Sequence, residues 1–186
     1  MDKVCIFFGT GYEEIEALTV VDLLRRAGID TEMVSITGEQ MVKGSHGIAV
    51  RMDKLYDEID FTAVDMIVLP GGMPGTKNLE AYEPLMAQVD AFYADGKNLA
   101  AICAAPSILG HRGMLKGKRA CSFPDFESHL EGAEVTKNPA ETDGNIITSR
   151  GMGCAIDFGL AIVEKLQGRE KAIALADVIL YGHYRG

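Results

Sequence analysis

Short apolar runs alternate with segments of helical period, and this alternation constrains the chain most. Val4-Cys5-Ile6-Phe7-Phe8, Thr31 to Ile36, Met66 to Leu69 and Leu99 to Ile102 read as strands covered on both faces, since continuous apolar runs of this length are what buried parallel strands show. Glu13 to Ala27 reads as a helix with an apolar stripe at Ala17, Leu18, Val21 and Leu24. Its i,i+4 pair is Asp22 and Arg26, its first turn is acidic, its last turn holds Arg25 and Arg26, and Gly28 stands at the C′ position. Further helices are expected over Pro84 to Ala94, Ala105 to Arg112, Ala155 to Leu166 and Glu170 to Ile179. Further strands are expected over Ile48 to Arg51, Arg119 to Ser122 and Asn145 to Thr148. Strands and helices in this order predict an α/β sandwich around a mainly parallel sheet, as one domain over 1–186 with no repeat or linker.

Composition narrows function more than fold. Acidic residues outnumber basic ones by 27 to 18, a net charge of -9, so clustered phosphate contacts and an anionic membrane surface are both disfavoured. No apolar run has the length of a membrane span or of a signal-peptide core, and the expected compartment is the cytoplasm. Cys5, Cys103, Cys121 and Cys154 are scattered, with no pair at metal-ligand spacing, and are expected to be free thiols.

In parallel α/β sheets, ligands bind beyond the carboxyl ends of the strands. Three loops qualify: Gly9 to Glu14, Pro70 to Gly75 and Cys103 to Ala105. The first opens like a dinucleotide fingerprint with Gly9-x-Gly11, but Glu14 occupies the third glycine position. Glu13, Glu14 and Glu16 would repel a pyrophosphate there.

Cys103 ends a strand and precedes a helix, with Ala101 and Ala105 at i-2 and i+2, the small neighbours that a nucleophile on a sharp strand-to-helix turn needs. A helix start at that point would lower a thiol pKa from about 8.5 into the range of roughly 3.5–7.5. The same residue also reads as a small core hydrophobe in an Ala-rich strand end. Gly71-Gly72 after Pro70 can turn backbone N–H groups toward a ligand and, with the N–H of Ala104, form an oxyanion hole; it also reads as a plain tight turn. Glu16 is one of three acids matched to a helix start.

Several stretches together resemble the ThiJ/PfpI superfamily, in its DJ-one-like branch, over nearly the whole chain: Gly11-Tyr12-Glu13-Glu14-Ile15-Glu16, Val21-Asp22-Leu23-Leu24-Arg25-Arg26-Ala27-Gly28, Val68-Leu69-Pro70-Gly71-Gly72, Ala100-Ala101-Ile102-Cys103-Ala104-Ala105-Pro106 and Thr148-Ser149-Arg150-Gly151. The resemblance implies a flavodoxin-like three-layer α/β/α sandwich, a homodimer, and a reaction that needs neither metal nor organic cofactor. It implies Cys103 as nucleophile, Glu16 as a buried, protonated carboxyl donating to the thiolate, and Gly72 and Ala104 as backbone donors at the sulfur. A histidine near the cysteine in several family members is replaced here by Phe123. This weakens a Cys-His amidase or protease. His46 lies in a segment resembling the family's pocket rim, while His111, His129 and His183 have no assigned place. The implied activity is cysteine-dependent conversion of 2-oxoaldehydes or their glycation adducts, of glyoxalase or deglycase type. The alternative is a redox sensor oxidised at Cys103. Isonitrile hydration also occurs in the superfamily, and no residue here selects it.

Overall fold

The computed structural model describes residues 2–184. In chain order it places β1 at Lys3–Phe8, α1 at Glu14–Arg26, β2 at Asp30–Ser35, β3 at Met41–Lys43, β4 at Ala49–Arg51, β5 at Lys54–Leu55, β6 at Met66–Leu69, α2 at Gly75–Ala81 and α3 at Glu83–Ala94. Then come β7 at Asn98–Ile102, α4 at Pro106–His111, β8 at Arg119–Ala120, β9 at Glu134–Val135, β10 at Ala140–Asp143, β11 at Ile146–Ser149, α5 at Ala155–Gln167 and α6 at Arg169–Val178.

Seven strands form one sheet in the order β10-β11-β7-β6-β1-β2-β5. Only the β10–β11 pair is antiparallel; every other pairing in this sheet is parallel. Because side chains alternate along a strand, β1 divides its apolar run between two cores. Val4, Ile6 and Phe8 face the helices α1 and α5 together with Val20, Leu24, Phe158 and Ile162. Cys5 and Phe7 face the opposite side, among Leu85, Val89 and Phe92 of α3 and Ile108 and Leu109 of α4. Helices therefore cover both faces, and the flavodoxin-like three-layer sandwich is confirmed.

The elements read from the sequence recur with ends shifted by one or two residues. Three differences have physical causes. The Pro70 to Gly75 stretch reads as punctuation, yet α2 begins at Gly75; it is fixed by fully buried Leu79 and by Asn78 Nδ2 donating to the Thr10 carbonyl at 2.8 Å. Arg119 to Ser122 does not join the main sheet. Only Arg119 and Ala120 pair, with β9, and the Cys121 N–H instead donates to Thr148 Oγ1 at 3.0 Å. β10 is a polar edge strand whose only partner is β11, a pairing with no local periodic signal.

β1, β6 and β7 are neighbours and parallel, with Ile6 beside Val68 and Val68 beside Ala100. Their carboxyl ends at Phe8, Leu69 and Ile102 thus deliver the three glycine- and alanine-rich loops to one edge of the sheet.

Candidate active site

The chain turns sharply after β7. Cys103 adopts φ +65°, a left-handed conformation that a non-glycine residue holds only when its surroundings impose it, at a cost of about 1–3 kcal/mol. Its N–H donates to the Ser149 carbonyl at 2.9 Å, and its own carbonyl accepts the Phe123 N–H at 2.8 Å. The expected elbow is therefore present. The small flanking residues are also in place, since Ala101, Ala104 and Ala105 are all buried.

The glycine pair after β6 sits against this turn. A Cβ on Gly71 would lie 2.5 Å from both the Cys103 Cβ and Glu16 Oε2, so only glycine lets the three loops close. Gly72 holds φ +90°. Its N–H and that of Ala104 hydrogen-bond the Cys103 sulfur, and both pull the thiol pKa down. Gly71 donates its N–H to Glu16 Oε2 at 3.0 Å. Gly71→Ala is expected to destabilise folding by about 1–3 kcal/mol through overpacking. Urea midpoints check this; a wild-type midpoint would mean the loops can part without cost.

Glu16 is buried in the first turn of α1 and hydrogen-bonds Cys103 through its side chain. The sequence offers three similar acids there, and the structure gives them three tasks. Glu13 caps the helix, its Oε1 accepting the Ile15 N–H at 3.4 Å. Glu14 is buried under the loop after β3. Burial acts to raise its carboxyl, but the N–H groups of Glu14 itself, His46 and Ile48 outweigh that and hold it below its ordinary value. Glu16 faces the sulfur. Local pattern does not separate these tasks, because burial of each acid depends on a loop distant in sequence; only the family resemblance singles out Glu16.

The electrostatics correct one expectation. A helix start was expected to lower the Cys103 thiol. The helix begins only at Pro106 and is six residues long, so its field on the sulfur is small. Burial instead pushes the thiol up to about 12, reinforced by the Glu16 charge. Burial likewise pushes Glu16 up to about 7, aided by Glu13, while the bonds to Cys103 and Gly71 pull it down. Because the charge of Glu16 contributes to the rise at Cys103, the two groups titrate as one coupled pair in which burial raises both.

Phe123 stands half-exposed at the mouth. A Cβ built on Gly151 would lie 3.6 Å from Phe123 Cδ2, 3.9 Å from Glu16 Oε1 and 4.0 Å from the Cys103 sulfur, so all three line one small space. The histidines are engaged elsewhere. His46 Nδ1 lies 3.2 Å from Glu14 Oε2. His111 Nδ1 is 2.6 Å from Glu80 Oε1 and its Nε2 is 2.9 Å from His129 Nδ1. His183 packs edge-on to Tyr181.

The chain resembles known proteins along almost its whole length. It is 39% identical over 176 residues to the Arabidopsis thaliana protein DJ-1 homolog B, covering 94% of this chain but only 40% of that relative. It is 31% identical over 153 residues to a Thermococcus kodakarensis protein named deglycase, covering 81% of this chain and 91% of the relative. Among solved structures, oxidized Toxoplasma gondii DJ-1 superposes with a TM-score of 0.93 at 34% identity, covering 98% of this chain and 100% of the other. The DJ-1/PfpI family model matches residues 2–165, and the chain belongs to that family.

Proposed function

We propose that the protein converts small 2-oxoaldehydes, and the early glycation adducts they form, to hydroxy acids, with Cys103 as nucleophile and Glu16 as proton shuttle. The observation that carries this reading is the buried Cys103–Glu16 hydrogen bond, with the Gly72 and Ala104 N–H groups on the sulfur. Above its first ionisation the pair holds one proton. Burial raises both groups, the sulfur more; because two N–H donors serve the sulfur and one serves the carboxyl, we assign the shared proton to Glu16 and the charge to sulfur.

With methylglyoxal, the thiolate bonds to the aldehyde carbon and the Glu16 proton passes to the new alkoxide, giving a neutral hemithioacetal. The Glu16 carboxylate then takes the proton from that carbon and returns it to the neighbouring carbonyl carbon, while the hydroxyl proton passes to the neighbouring oxygen, leaving a lactoyl thioester. Water cleaves the thioester to lactate and frees the sulfur with its proton, so the net change is addition of one water. A carboxyl that burial raises above its ordinary value can both give up and take back a proton near neutrality, which suits both halves of the shuttle. The name of the Thermococcus kodakarensis relative supports this reaction class.

Lactate formation from methylglyoxal by the wild-type chain tests the reading. No lactate, together with peroxide adding oxygen to Cys103 ahead of Cys5, Cys121 and Cys154, would replace it with the redox-sensor reading. The oxidized state of the Toxoplasma gondii structure favours that second reading. A homodimer remains part of the proposal, supported by exposed Ile15 and Ile48 near the site; light scattering decides it.

A further inference from the structure

A second cluster stands outside the sulfur site, where the loop between β3 and β4 folds over the start of α1. Four side-chain atoms converge there. His46 Nδ1 lies 3.2 Å from Glu13 Oε2 and 3.2 Å from Glu14 Oε2. Ser45 Oγ lies 3.2 Å from Glu13 Oε2, 3.3 Å from Glu14 Oε2 and 3.1 Å from His46 Nδ1. The ligand atoms of Glu13, Glu14 and His46 all fall within 4.8 Å of one another.

Hydrogen bonding alone does not account for this convergence. Ser45 Oγ and His46 Nδ1 carry at most one hydrogen each, so two hydrogens serve five close separations, four of them to carboxylate oxygens. A cation at the centre would serve all four atoms at once. A cation seated among atoms 3.1–3.3 Å apart lies roughly 2 Å from each, the length of a zinc bond to nitrogen or oxygen.

The surroundings hold these atoms in place. Glu14 Oε1 accepts the backbone N–H of His46 at 2.8 Å and of Ile48 at 3.4 Å, which leaves Oε2 for the cluster. Glu13 likewise uses Oε1 on the Ile15 N–H and presents Oε2. Both carboxylates thus have the outer hydrogen bonds that orient metal ligands. The loop is also shaped around Glu14: a Cβ on Gly44 would meet Glu14 Cδ and Oε1 at 2.3 Å, so backbone lies directly on the buried carboxyl.

The geometry points to a binding site for a first-row divalent transition ion, formed by Glu13, Glu14, His46 and the Ser45 hydroxyl. An imidazole with two carboxylates selects zinc-like ions over calcium and magnesium, which take six or more oxygens or keep most of their water. Two carboxylates balance the charge of a divalent ion. The site stands apart from the reaction assigned to Cys103 and requires nothing of that sulfur. A metal there would fasten the β3–β4 loop to the helix whose first turn carries Glu16.

The test is zinc titration of the full chain against a chromophoric chelator, in wild type and in Cys103→Ser, which removes the thiol as a competing ligand. Both are expected to bind one zinc per chain at this site. His46→Ala is expected to weaken it at least tenfold; His46 is an exposed loop residue, so the variant keeps its fold. Glu14→Gln should weaken it similarly, whereas His129→Ala, in the separate His111–His129 pair, should leave it unchanged. The proposal is overturned if Cys103→Ser binds no zinc, if His46→Ala binds as tightly as its parent, or if equimolar calcium displaces the zinc.

Discussion

Cys103→Ser is expected to form lactate from methylglyoxal at no more than about one-thousandth of the wild-type rate, a loss of roughly 4 kcal/mol of barrier lowering. A serine hydroxyl fits the same left-handed turn and can accept the same two N–H bonds, so folding should change little. What disappears is an ionisable nucleophile, because an alkoxide is out of reach at neutral pH where a thiolate is not. A matching urea midpoint would show that the loss is chemical. Retained lactate formation in this variant would remove Cys103 from the mechanism.

Glu16→Gln is expected to separate two tasks. The amide approximates the protonated carboxyl in shape and can donate to the sulfur, but it cannot take a proton from carbon. Lactate formation should fall by about 10²–10⁴-fold, the usual worth of a positioned acid–base group. Alkylation of Cys103 should persist, with its pH midpoint within about one unit of wild type, because the sulfur sees a neutral donor in both proteins. Loss of both activities together would mean that Glu16 only maintains the structure around the sulfur.

Most of the scaffold is legible in the sequence, and the reason is physical. The β1, β6 and β7 runs are buried on both faces, so each reads as a continuous apolar string. The amphipathic helices α1 and α5 declare themselves by period. The Cys103 elbow is legible because a left-handed nucleophile tolerates only small neighbours, and alanines flank it.

The features that escape are those fixed by distant contacts. The helix α2 hides behind a proline–glycine stretch and rests on Leu79 and on the Asn78 bond to Thr10. The strand β10 is polar because it is an edge strand. Glu13, Glu14 and Glu16 look alike as three acids at a helix start, and only the loops around Gly44 and Gly71 give each its own environment. The thiol's environment was misjudged for the same reason. The helix expected over Ala105 to Arg112 is there as Pro106–His111, but burial of the sulfur, set by the loops around it, is the larger influence.

The central claim is that near neutrality the single proton of the pair rests on Glu16 and the charge on Cys103. Alkylation of Cys103 by iodoacetamide, followed by mass spectrometry from pH 5 to pH 10, reads the sulfur directly. A shared proton held by Glu16 predicts a rate that rises with pH, is half-maximal near 7 and is flat above 8.5, where the pair's first ionisation is complete. A sulfur that stays unreactive up to pH 10 in wild type and becomes reactive at lower pH in Glu16→Gln would place the proton on Cys103 and contradict the account.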